Sequence, residues 1–299
     1  NNFRYNFIME KRNHKKPFTL IEPKYFKYPI IISSPHSGRY YPDSFLDKIN
    51  VDIYDLRKLE DIFVDKIVTF IAKELSIPCI SSVFSRSYVD LNRDVTEIDK
   101  NMISKNYINN NLNYSMKVKS GFGLFSKKTL ENRNIYDEPL SCKEIDYRIK
   151  EIYLPWHAKL LELLEKTKNS FGKVLLLDFH SMPSNPFKTI NTIIAPEICI
   201  SDLHGGSAKK IYMEKLKENL SSLNYNVKEN YPFSGGYIAR HYSSIKNISV
   251  IQIEIRRDIY ADEDKLILND GFNKLKRDML TSVLSLVNEF KGEQIFAAE

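Results

Sequence analysis

Three cysteines in 299 residues, Cys79, Cys142 and Cys199, are too few and too scattered to staple a fold or to build a sulfur-ligated metal site. They are odd in number and form no C-x-x-C pair, which excludes a disulfide framework and fits a reducing cytoplasm. A metal, if one is bound, has to be held by histidine and carboxylates. No stretch is apolar for the roughly 18 residues that a membrane span requires. The opening residues NNFRYNFIMEKRNHKK lack an apolar block followed by a small-residue cleavage site, so no signal peptide is expected. No linker rich in Pro, Gly or Ser divides the chain, and no internal repeat is found. Despite a net charge of +6, no nucleic-acid recognition motif or sustained basic face occurs. The basic stretch at 11–16 reads as part of a solvated arm over 1–20, and a basic chain tolerates acidic partners.

What is present is a globular composition, 42% hydrophobic and 27% charged, sufficient for a sizeable core. Strand-like and helix-like segments alternate. YPIIISSPHSG reads as a buried strand running into a turn, and IPCISSVF and SYVDLNRD as further strands. Residues 51–76 read as one amphipathic helix, with Leu56, Leu59, Phe63, Ile67 and Phe70 on one face. Residues 101–141 are rich in Asn, Ser, Lys and Gly without periodicity, and read as a long excursion with functional potential. The next helical pattern is kinked or restarted by Pro155 and stopped by Gly172. KVLLLDFHS is a continuous apolar run typical of strands covered on both faces. A helix at SAKKIYMEKLKENLSSLN, a strand at NISVIQIEIRR and a terminal helix from DEDKLILND onward complete the pattern. The expectation is one α/β domain over 1–299, with a central mixed, mostly parallel sheet flanked by helices.

Sites in α/β sheets collect at strand ends. The polar groups found there are His36 after IIISSP, Asn92 and Arg93 after SYVDL, Asp178 and His180 after VLLL, and Glu254 within VIQIEIRR. LEDIF adds Glu60 and Asp61. Two histidines and a carboxylate form a common ligand set for catalytic zinc, with water in the fourth position. A separate carboxylate can then take and return the proton, and Glu254, alone among aliphatics, fits that role. Each residue singly has a structural reading: a hydrogen-bonded core histidine, Asp178 capping a turn or supporting His180, Glu254 paired with Arg256 or Arg93, and Glu60 and Asp61 on a wet helix face. The joint pattern points to a metal hydrolase. Two-metal phosphoesterases also use Asp-x-His, but they need further ligand groups such as Asn-His-Asp, which are absent here.

At these residues the sequence resembles the N-formylglutamate amidohydrolase family. Seven strings match in order: SPHSGRYYP, EDIFVD, SRSYVDLNRD, YLPWHAKLL, LLLDFHSMPS, NYPFSGGYIARHY and IQIEIRRDIYADE. That family is similar in turn to the zinc carboxypeptidases and acylamino-acid deacylases, through VDLNR and EIR. The resemblance implies a carboxypeptidase-like fold and zinc-dependent hydrolysis of N-formyl-L-glutamate to formate and glutamate, a late step in one route of histidine breakdown. The implied partner is a small acidic acyl amino acid, with no nucleic acid and no membrane. It also implies His36 and His180 as zinc ligands, Glu254 as the group activating water, and Asn92 and Arg93 as holders of a substrate carboxylate. The third ligand comes from LED, with Asp61 preferred over Glu60 because relatives keep Asp there. Arg39 occupies the place of a carboxypeptidase ligand and is free to meet the second substrate carboxylate, with Arg86 as competitor. Gly235 and Gly236 match the family and would let backbone amides approach a ligand. His157 and His241 match too, with support and substrate contact both open. Leu203 replaces a family arginine, which implies altered specificity. Two other readings stand beside this one: a different N-acyl amino-acid deacylase or carboxypeptidase-like hydrolase, and a non-catalytic binding protein for acidic amino acids.

Overall fold

Ile30, Ile31 and Ile32 are all fully buried, yet Ile30 and Ile32 belong to one apolar core and Ile31 to another. That alternation sets the architecture, since successive strand residues point to opposite faces and both faces here are covered. The structure, a computed structural model, describes residues 15–107, 111–185 and 195–296. Among the described residues, seven strands form the main sheet: β1 (Phe18–Ile21), β2 (Ile30–Ser34), β3 (Cys79–Ser82), β4 (Val174–Met182), β5 (Ile198–Ser201), β6 (Val227–Glu229) and β7 (Ile248–Arg256). Their spatial order is β1-β3-β2-β4-β7-β5-β6. The central pairs β3–β2, β2–β4 and β4–β7 are parallel, as is β5–β6, while β1–β3 and β7–β5 are antiparallel. The sheet is therefore mixed and mostly parallel, as the sequence led us to expect.

One face packs against the helices Val64–Leu75, Lys210–Ser222 and Gly271–Phe296 through Leu175, Leu177, Phe179, Ile251 and Ile253. The other packs against the helix Leu154–Phe171 and the excursion through Leu176 and Val250, with Trp156, Leu160, Leu124 and Phe125. Pro155 sits at the start of Leu154–Phe171 after a π-helical turn, Ile149–Tyr153, and Gly172 ends that helix with φ 72°. Among the described residues no helix is long and apolar enough to cross a membrane.

Four expectations are corrected. The single helix over 51–76 is two, Ile53–Arg57 and Val64–Leu75, because Phe63 adopts a left-handed conformation (φ 62°) and stops propagation. Leu56 and Leu59 consequently join one core and Phe63 and Ile67 the other, rather than forming one stripe. SYVDLNRD is not a strand but a buried turn, in which the Asp90 carboxylate accepts the Asn92 amide at 2.9 Å. The segment before the terminal helix is a small hairpin, Ala261–Asp262 with Ile267–Leu268. Of the expected arm at 1–20, residues 1–14 lie outside the described residues and Phe18–Ile21 is the edge strand β1.

The described part of the excursion at 101–141 has little regular structure, but it is anchored. Arg148 is fully buried, with its guanidinium 3.9 Å from the Tyr88 ring centre. It donates to Tyr88 O at 2.9 Å and Tyr136 Oη at 2.8 Å, and pairs with Glu144. A buried guanidinium whose two terminal nitrogens meet carbonyl, phenol and carboxylate ties the excursion to the sheet.

Candidate active site

The carboxyl ends of β2, β4 and β7 lie side by side, and each delivers polar groups to the same place. On β4, Leu176, Asp178 and His180 share a face, so the apolar run becomes polar where the strand leaves the core. Register sets His180 beside Glu254 on β7, and Asp178 beside Ser33 on β2. Ser33 Oγ donates to Asp178 Oδ1 at 2.6 Å. His36 follows β2 in the turn. Its carbonyl accepts the Asp61 amide at 3.0 Å, and this bond draws the break between the two short helices to the sheet.

His36, Asp61 and His180 converge, all buried. His180 Nδ1 lies 3.0 Å from Asp61 Oδ2 and 3.1 Å from His36 Nδ1, and His36 Nδ1 lies 3.5 Å from the same Asp61 oxygen. Ligands at ordinary zinc distances in a tetrahedron would be about 3.4 Å apart. The triangle is of the size a divalent ion needs, and its donor set suits one.

The opposite ring nitrogens are also committed. His36 Nε2 is 2.6 Å from Asp90 Oδ1, and His180 Nε2 is 2.9 Å from Asp178 Oδ2. A carboxylate on Nε2 fixes the tautomer, turns Nδ1 toward the cluster and raises its basicity, as histidine ligands of metals require. Nε2 of His180 thus donates to Asp178, and the 3.3 Å approach of Asn92 Nδ2 to the same atom is packing rather than a hydrogen bond. Burial works against charge on His180, but Asp178 and Asp61 raise its pKa well above the usual value. Burial likewise opposes charge on Asp61, yet His180 and His36 hold it well below the usual carboxylate range. Burial lifts Glu254 to about 7, with Asp61 adding to the rise and His180, Arg86 and Arg257 opposing it. Gln252 donates to Glu254 Oε1 at 2.9 Å. The result is a carboxyl group that exchanges its proton near neutrality.

These groups face a cleft of about 400 Å³. Of the sequence candidates, His36, Asp61, His180, Glu254, Arg86, Asn92, Arg93, Gly235 and Gly236 line it. Glu60 does not: it points to Tyr41, which donates to its carboxylate. The choice between Glu60 and Asp61 is therefore made by the break before Val64, not by helical spacing. Arg39 does not line the cleft either. Its guanidinium pairs with Asp65 at 2.8 Å and lies over the Phe63 ring, so the carboxylate role expected for it lacks a geometric basis. The two glycines line the cleft, and one of them has a further packing role. Gly235 has φ 124°, and a Cβ on Gly236 would lie 2.3 Å from Asn92 Nδ2. The missing side chain thus makes room for Asn92, whose Oδ1 accepts the Ile238 amide at 2.8 Å.

His157 and His241 stand outside the cleft lining. Burial, then His241, pushes His157 down to about 3, so it is neutral. Its Nε2–H donates to Leu91 O at 3.0 Å, while Nδ1 accepts from Tyr242 Oη at 2.8 Å. Tyr153 Oη donates to Arg93 O at 2.8 Å. The YLPWH string therefore grips the turn bearing Asn92 and Arg93 from both sides. His241 is exposed and stacks on Tyr237.

Sequence reasoning missed Asp90, Arg257 and Lys117. An Asp between Val89 and Leu91 in an apolar string was the signal for Asp90. Arg257 adjoins Arg256, and only the turn after β7 returns it to the cleft, where it donates to Ser181 Oγ at 3.0 Å and Lys58 O at 2.8 Å. Lys117, in the excursion, gave no signal.

The fold and site define an α/β protein whose central parallel strands end in a buried His–Asp–His cluster, with one weakly acidic carboxyl group beside it. The chain belongs to the N-formylglutamate amidohydrolase family, whose family model matches residues 28–261. It is 26% identical to the N-formylglutamate deformylase of Pseudomonas putida over 243 residues, 79% of this chain and 83% of that one. It is 26% identical to the N-formylglutamate deformylase of Pseudomonas aeruginosa over 273 residues, 87% of this chain and 94% of that one. The crystal structure of N-formylglutamate amidohydrolase from Ralstonia eutropha superposes with a TM-score of 0.87 at 29% identity, over 93% of this chain and 100% of that one. An Agrobacterium tumefaciens protein of 16% identity shares the fold at a TM-score of 0.60, over 91% of this chain and 97% of that one.

Proposed function

We propose that this chain hydrolyses N-formyl-L-glutamate to formate and L-glutamate, a late step in one route of histidine breakdown, with one divalent ion, zinc, held by His36, Asp61 and His180. The convergence of three donor atoms within 4.8 Å of one another, each histidine backed by an aspartate, carries the reading. When bound, such an ion polarises the formyl oxygen and makes water nucleophilic near neutral pH. Glu254 takes a proton as the water oxygen bonds to the formyl carbon, then gives it to the nitrogen as the C–N bond breaks. Arg93 binds a substrate carboxylate with Asn92 beside it, and Arg86, held by Asp90 at 2.8 Å, adds positive potential.

The test is formate release from N-formyl-L-glutamate, with elemental analysis of the purified protein. Cleavage of N-acetylaspartate or N-succinylglutamate instead would move the chain to another deacylase activity. Binding without turnover would make it a receptor for acidic amino acids.

The grip on the Asn92–Arg93 turn has its own consequence. His157→Ala removes a hydrogen bond worth about 1 kcal/mol and frees the turn. It is expected to raise KM about five- to tenfold, with a smaller change in kcat. A fall in kcat at constant KM would show that His157 serves the chemistry instead.

A further inference from the structure

Among the described residues, five cationic side chains line the cleft, and three of them already have a carboxylate there. Arg86 pairs with Asp90 at 2.8 Å, Lys58 with Glu131 at 3.4 Å, and Arg257 with Asp61 at 3.4 Å. Arg93 and Lys117 do not. Arg93 Nε and Nη1 donate only to the carbonyls of Phe122 and Asn92, each at 2.8 Å. The Lys117 ammonium makes no hydrogen bond or ion pair within the described residues. Lys117 stands exposed at the mouth of the cleft. Even so, reduced hydration there, followed by the charges of Arg93 and Arg86, lowers its pKa.

One residue, Phe122, ties the backbone that carries Lys117 to the side chain of Arg93. The Phe122 amide donates to Lys117 O at 2.8 Å, and Phe122 O accepts from Arg93 Nε. Gly121, with φ 87°, makes the turn that joins them. Ser115 caps the short helix Met116–Lys119 and thereby holds Lys117 at the cleft. Asp90, Glu97 and Glu254 offset these charges only at a distance, so two carboxylates entering the cleft can each meet a cation without an ion pair of its own among the described residues.

We propose that Lys117 and Arg93 together form a dianion site, in which Arg93 takes one carboxylate of the substrate and Lys117 the other. This makes the excursion at 101–141 the element that selects acidic side chains. The inference rests on the deformylase reading above.

The experiment compares Lys117→Met and Lys117→Arg with the native protein on N-formyl-L-glutamate and its singly charged analogue, N-formyl-L-glutamine, with the inhibition constant of glutarate measured alongside. A charge-assisted contact of this kind corresponds to about 10- to 100-fold in binding. In Lys117→Met the preference for the glutamate derivative, as a ratio of kcat/KM values, should fall by that factor, chiefly through KM. Glutarate inhibition should weaken to match, and Lys117→Arg should keep most of the preference. An unchanged ratio and an unchanged glutarate constant would overturn the proposal. A native protein that cleaves neither substrate would overturn the deformylase reading itself.

Discussion

Glu254→Gln is expected to cut turnover by about a hundredfold or more while the protein keeps its metal. The substitution preserves shape and the contact with Gln252 but removes the ability to accept a proton. Glu254 is buried beside His180 in register and is not among the three converging donors, so metal content should be unaffected. The pH profile gives an independent check. The ionised carboxylate is the active form, so kcat/KM should fall as pH drops through the pKa of Glu254, about 7 in the metal-free protein. A cation nearby favours the ionised form and moves that limb to lower pH. The limb should vanish in Glu254→Gln. A variant with native turnover would remove Glu254 from the mechanism.

His180→Ala is expected to abolish stoichiometric metal. Purified native protein should carry one ion per chain by elemental analysis, and the variant almost none, because two donors no longer close the triangle. The loss reaches beyond the ion. Asp178 and Asp61 both lean on His180, and removing one partner of a buried charged pair costs about 3–5 kcal/mol. The thermal midpoint should therefore drop as well, and far-UV circular dichroism below that midpoint separates metal loss from unfolding. A folded variant that still holds one ion per chain would show that His180 is not a ligand.

The strands that carry the site were readable because their burial is local in origin. A run such as VLLLDFHS stays apolar on both faces until its end, so the strand and its polar terminus are visible in the same few residues. The helix break at Phe63 was not readable. Its apolar spacing continues through the break, and only packing against two different cores reveals that the chain changes direction there. Arg39 and Arg257 illustrate the same limit. Both lie near the site in sequence, but one turns to Asp65 and the other reaches Ser181, a choice made by the orientation of elements far apart in the chain.

The sequence by itself determined the mixed α/β architecture and the strand-end placement of His36, His180 and Glu254, because hydrophobic period and residue chemistry are properties of short segments. Only the tertiary structure decided that Asp61 rather than Glu60 faces the histidines, that Asp90 and Asp178 orient their rings, and that Lys117 arrives from the unpatterned excursion. Those outcomes depend on distances between groups separated by many residues, and such distances exist only once both faces of the sheet are packed.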